Sequence, residues 1–278
     1  MRGASVPEVA RQLANARIIA HPRLLRALLS MSGQSTRVQA GMYLFDAPES
    51  LFAVARRLVT GAYGLPPIRI TFPEGETARD MAARVSAAFP GIPAPDFLSA
   101  AEPHEGYLFP DTYLFLPSSG AESIIKAMRA NFDTKTAPLK DVIQTSGRSL
   151  SETVILASLV EKEARSSAVR HMVAGILSNR LKLGMPLQVD AVFGYIFKRD
   201  TYSPSPEDLK IDSPYNTYLH TGLPPGPINN PGLDSIDAAL HPTKTDYLYY
   251  LTGTDNLMHY ATTYAGHQAN QQKYLQRY

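Results

Sequence analysis

The sequence contains no cysteine and no tryptophan. Without cysteine there is no disulfide, no thiolate nucleophile and no Cys-ligated metal. Without tryptophan, stacking on a sugar ring falls to Tyr and Phe. The histidines (His21, His104, His171, His220, His241, His259 and His267) show neither HxxxH nor HxxEH spacing, so a metal site is not expected. Charge of one sign is also lacking. The formal net charge is only +2, which gives no electrostatic case for nucleic acid, although a mildly basic chain suits an anionic glycan. Long apolar runs are missing too. The longest, Val154–Val160, falls short of the roughly 18–20 residues of a membrane span, and the first residues carry no apolar signal core. The chain as given reads as soluble, with any membrane anchor expected upstream of it.

What is present is the profile of a folded protein: 278 residues, 44% hydrophobic and 19% charged, enough for one large domain or two smaller ones. A weak repeat marks three helix starts. Ser5, Ser50 and Thr77 each precede an apolar face, formed by Val9, Ala10 and Leu13, by Val54, Ala55 and Leu58, and by Met81, Ala82 and Val85. Ser5 with Glu8 has the spacing of a capping box. Gln39–Phe45 reads as a turn and strand, and Ile68–Phe72 alternates like a half-buried strand. Pro66-Pro67 is a plausible boundary. Ile92–Pro103 reads as a loop, 122–132 as a helix, and 152–182 as two helices broken near Ser166-Ser167. Beyond Pro186 the chain is dense in Pro, Gly, Asn and Tyr, a stretch costly to order unless it shapes a site. Tyr247–Leu251 reads as a strand and 261–277 as a closing helix. The fold class expected is α+β.

Three segments carry side chains suited to chemistry. The first is Thr153–Ala164, apolar all round until Glu161-Lys162-Glu163. Glu161 shares a helical face with Val154, Ala157, Ser158, Ala164 and Ala168. A carboxyl on such a face is partly desolvated, which favours the protonated form that a general acid needs. The competing reading is a helix end emerging into solvent, with Glu161 and Arg165 as an i,i+4 pair. The second segment, Gly184–Asp190, would present Gln188 and Asp190 on one side if extended, as a sugar-binding edge or a polar strand edge. The third comprises Ser213–Tyr218 and Gly222–Gly232. Its prolines stiffen the backbone, and its Tyr and Asn residues could wall a sugar cleft or form a rigid connector.

Together these segments resemble the MltG/YceG family of endolytic murein transglycosylases. The matching pieces are Ala157–Ala164, Ser178–Leu181, Gly184–Asp190, Ser213–Thr217, Gly222–Ile228 with Asn230–Gly232, and Glu105–Tyr113. Gln39–Tyr43 and Pro73–Thr77 also match. The resemblance covers nearly the whole chain, and the order of the motifs makes it specific. It implies a small N-terminal LysM-like α+β module over 1–66 and a larger α+β catalytic domain over 67–278, within which 67–104 could stand apart as a subdomain. It implies endolytic cleavage of the MurNAc–GlcNAc bond of peptidoglycan glycan strands, giving 1,6-anhydro ends. Glu161 is the single acid/base it implies, and Glu163 a candidate second carboxylate. Gln188, Asp190, Tyr215, Asn216, Thr217, Asn230 and Tyr107 are the expected substrate contacts. No cofactor, metal or nucleic acid is expected. Peptidoglycan synthases are implied partners, and an N-terminal anchor on the extracytoplasmic face of the membrane is the implied location. Val192 and Gly266 depart from the family pattern, where Thr and Glu are common. Two rival readings remain: a hydrolase using Glu161 with Glu163 or Asp190, and a non-catalytic glycan-binding scaffold.

Overall fold

The structure, a computed structural model, describes residues 4–199 and 203–275. The chain divides into two compact units, Met1–Arg69 with Leu114–Gly120, and Ile70–Tyr113 with Ala121–Tyr278.

The first unit holds α1 (Val6–Asn15), α2 (Pro22–Met31) and α3 (Leu51–Thr60). The cap expected at Ser5 forms, with the Ser5 amide and hydroxyl donating to Glu8 at 2.7 and 2.8 Å. Ser50 caps α3 by accepting from the Ala53 amide. Ala10, Leu13, Val54, Ala55 and Leu58 then bury their faces in one small core with Leu25 and Leu29. Gln39–Phe45 forms no strand. Two of its amides find separate partners instead, Gln39 on the Leu58 carbonyl and Leu44 on the Tyr63 carbonyl.

The two strands β1 (Ile68–Thr71) and β2 (Thr112–Phe115) form a two-stranded sheet. In the second unit, Thr77 caps α4 (Ala78–Ala88) in a capping box with Asp80, and Ala78, Met81, Ala82 and Val85 are buried. The expected loop at Ile92–Pro103 contains a helix, α5 (Ala94–Ala101). Its prolines lie at the entry, where the first amides have no helical partner, and Phe97 and Ala101 pay for the turns by burial. The helices α6 (Ala121–Thr136) and α7 (Lys140–Thr145) follow.

At the centre of this unit is α8 (Leu150–Glu163). Ser149 and Glu152 start it in a further capping box, and every residue from Thr153 to Val160 is buried. It breaks at extended Ala164 before α9 (Ser167–Lys182), close to the expected break. The remaining elements are α10 (Ala191–Phe197), α11 (Leu233–Leu240), the antiparallel pair β3 (Tyr249–Thr252) and β4 (Met258–Ala261), and α12 (Tyr264–Tyr274). The expected closing helix was longer, and its last residues lie beyond the described ones. No helix among the described residues is long and apolar enough to cross a membrane.

Candidate active site

The loop Gly222–Gly232 is fixed to α8 by a buried serine. Ser158 donates to the Ile155 carbonyl and accepts from the Ile228 amide at 3.1 Å, while the Asn229 side chain donates to the Ser158 carbonyl at 2.7 Å. Asn230, fully buried, ties three segments together. It accepts from the Leu108 amide and donates to Glu105 at 2.7 Å and to the Glu76 carbonyl at 3.0 Å. Gly106, at φ +85°, lies so close to Pro227 that a Cβ there would collide with the proline ring.

This scaffold sorts the two glutamates at the end of α8. Residues two apart on a helix are about 200° apart around its axis and cannot face one site. Glu161 turns towards α9 and α11. Its Oε1 accepts from Arg170 Nη2 at 2.8 Å and its Oε2 from the Gly232 amide at 3.0 Å, with the side chain only 5% exposed. Arg170 also donates to Asp234 at 2.8 Å and lies 3.8 Å from Glu74. Burial and the Glu161 charge hold the Glu74 carboxyl above its ordinary range, against the pull of Arg170.

Glu163 turns the other way and lines a cavity of about 520 Å³, well within the roughly 300–1,000 Å³ of small-molecule sites. Burial pushes its carboxyl up to about 7. A hydrogen bond from Tyr250 and one from the Ala191 amide oppose the rise, and the Asp190 charge adds to it. A second buried carboxyl, Glu105, shares the wall. Burial raises it to about 7 as well, against donation from the Ala78 amide and Asn230. Tyr195 and Tyr215 line the same space with ring centroids 5.0 Å apart.

Of the residues expected from sequence, Glu163, Asp190 and Tyr215 meet at this cavity, and Glu161 does not line it. Gln188 does not line it either. The segment is not extended, because Gln188 adopts φ +54° and its amide oxygen accepts from Arg180, so Gln188 and Asp190 do not share a side. Asp190 accepts from the Tyr218 hydroxyl at 2.5 Å. Asn216 and Thr217 are buried and serve the backbone: Asn216 donates to the Leu209 and Ile211 carbonyls, and Thr217 accepts from the Val189 amide. Tyr107 packs edge-on against Phe132, beneath Arg129. Sequence reasoning missed Glu105 as a buried carboxyl of the cavity wall, and Arg170 and Tyr250 as the partners of Glu161 and Glu163. Glu105 opens a recognised motif, whereas nothing local marked Arg170 or Tyr250. Among the described residues, no group of three or more His, Asp or Glu side chains could hold a metal ion.

The YceG-like family profile matches residues 1–273. The chain belongs to the YceG-like family. It is 34% identical over 300 residues to the endolytic murein transglycosylase of Bacillus subtilis (strain 168), covering 98% of this chain and 83% of that protein. It is 37% identical over 172 residues to the endolytic murein transglycosylase of Streptococcus pneumoniae serotype 2, covering 60% of this chain but 31% of that longer one. A YceG-like protein from Listeria monocytogenes, known from a 2.6 Å crystal structure, superposes with a TM-score of 0.68 at 28% identity, covering 97% of this chain and 96% of that one. The family and this neighbour agree with the α+β class; they do not bear on a LysM-like character for the first residues.

Proposed function

We propose that this YceG-like protein is a lyase of the cell envelope, an endolytic peptidoglycan transglycosylase, with Glu163 as its acid and base. The supporting observation is a carboxyl held protonated to about pH 7 on the wall of an aromatic-lined cavity. Such a group can give a proton to the glycosidic oxygen as the C1–O bond to GlcNAc breaks. The resulting carboxylate then takes the proton of the MurNAc C6 hydroxyl as its oxygen bonds to C1. One bond breaks, one forms, no water is consumed, and the carboxyl ends as it began. Tyr215 and Tyr195 offer faces for sugar rings, and Asp190 a hydroxyl or acetamide acceptor.

Assigning the chemistry to Glu163 rather than Glu161 departs from the expectation drawn from resemblance. It rests on access, since Glu163 lines the cavity and Glu161, held by Arg170 and the Gly232 amide, does not. The first residues are proposed to grip glycan as a LysM-like module. An upstream membrane anchor and contact with peptidoglycan synthases follow from the resemblance alone.

One observation favours a second reading. Glu105 and Glu163 share the cavity, and paired carboxyls are the usual equipment for glycoside hydrolysis. Mass spectrometry of glycan ends released from uncrosslinked strands separates the readings. Anhydro ends support the transglycosylase, ends heavier by one water support the hydrolase, and bound but uncut strands support a scaffold.

A further inference from the structure

We propose that Tyr250 is a positioning residue whose hydroxyl orients Glu163 and sets the pH range over which it works. The inference rests on the reading of Glu163 given above. Tyr250 lies in β3, paired with Tyr260 of β4. Alternation along the strand turns Tyr249 towards His267, with rings 5.3 Å apart, and Tyr250 towards the main core. Its hydroxyl donates to Glu163 Oε2 at 3.0 Å. A phenylalanine would fill the same space without a polar atom to satisfy, so the buried hydroxyl is costly unless this one bond compensates it.

The other groups around Glu163 do not duplicate the contact. Asp190, at the start of α10, brings a like charge and is itself held by the Tyr218 hydroxyl. The Ala191 amide donates from the same helix. Lys162 precedes Glu163 on α8 and lines the cavity, as does Glu105. Arg180 of α9 is buried and spends its donors on the carbonyl oxygens of Leu248, Pro186 and Leu187 and the Gln188 amide oxygen, so its charge acts through space on Tyr250 and Tyr218. Tyr250 thus brings a donated side-chain bond to the Glu163 carboxyl from the main core. It strengthens as the carboxyl ionises and opposes burial, and it fixes one rotamer through both proton transfers.

The test compares the pH dependence of anhydro-end formation in wild type, Tyr250→Phe and a protein carrying 3-fluorotyrosine at 250, with Glu163→Gln alongside. Losing the donor leaves burial and Asp190 opposed by the Ala191 amide. The alkaline limb in Tyr250→Phe should rise by on the order of one pH unit, the worth of one hydrogen bond to a charged group. Fluorotyrosine, a stronger donor, should move the limb down, and it decides the matter if Tyr250→Phe does not fold. An unmoved limb in a folded variant, beside an inactive Glu163→Gln, overturns this proposal alone. A Glu163→Gln that still makes anhydro ends overturns the reading of Glu163 and this proposal with it.

Discussion

Glu161 and Glu163 leave the end of α8 on opposite sides, the first held by Arg170 and the Gly232 amide, the second by the Tyr250 hydroxyl at the cavity wall. The separation follows from helix geometry, since an i,i+2 pair cannot converge. It divides labour at one helix end: Glu161 binds α8 to α9 and α11, and Glu163 faces the space where a glycan could lie.

Arg170→Ala should therefore be a stability variant. The Glu161 carboxyl is 5% exposed and Arg170 is 14% exposed, so removing the guanidinium leaves a buried charge without its partner. Chemical denaturation should register a loss of about 3–5 kcal/mol. A loss below about 1 kcal/mol would mean that the ion pair contributes little.

Ser158→Ala removes the acceptor of the Ile228 amide deep in the core. The unsatisfied amide should cost about 1–3 kcal/mol by denaturation. Because Ile228 lines the cavity, turnover should fall as well. An unaffected variant would show that another group anchors the loop.

Glu105 gives a signed pH effect. Burial raises its carboxyl from 4.5 to about 7, so between these values the folded protein binds a proton that the unfolded chain has lost. This contribution is fully present below about pH 4.5 and is lost as pH rises through about 7, with a slope of about 1.4 kcal/mol per unit. Denaturation midpoints from pH 5 to 8 should fall less steeply in Glu105→Gln than in wild type. Parallel slopes would contradict the assignment.

Tyr215→Ala should weaken strand binding. A stacked ring is worth about 0.5–1.5 kcal/mol, which corresponds to a rise in KM of roughly two- to tenfold. Initial rates against strand concentration measure it, and an unchanged KM would take Tyr215 out of the binding surface.

Local features were the legible ones. The caps at Ser5, Ser50 and Thr77 depend on neighbours within a turn and read directly from sequence, and the helix break expected near Ser166-Ser167 comes slightly earlier, at Ala164. The choice between Glu161 and Glu163 did not. α8 is buried all round from Thr153 to Val160, so periodicity does not orient it, and the partners that turn the two glutamates apart arrive from residues 170, 232 and 250. Asn216 and Asn230 show the same ambiguity. An amide suited to a sugar is equally suited to backbone groups, and their burial gives them the second task. Gln188 defeated the strand reading because a left-handed backbone at a non-glycine residue leaves no local sign.

The most direct test of the account is mass spectrometry of glycan ends made by Glu163→Gln and Glu161→Gln, with thermal unfolding of each. The account predicts no anhydro ends and a near-native melting temperature for Glu163→Gln. It predicts retained anhydro ends and a lowered melting temperature for Glu161→Gln. Anhydro ends from a folded Glu163→Gln, or their loss from a folded Glu161→Gln, would contradict it.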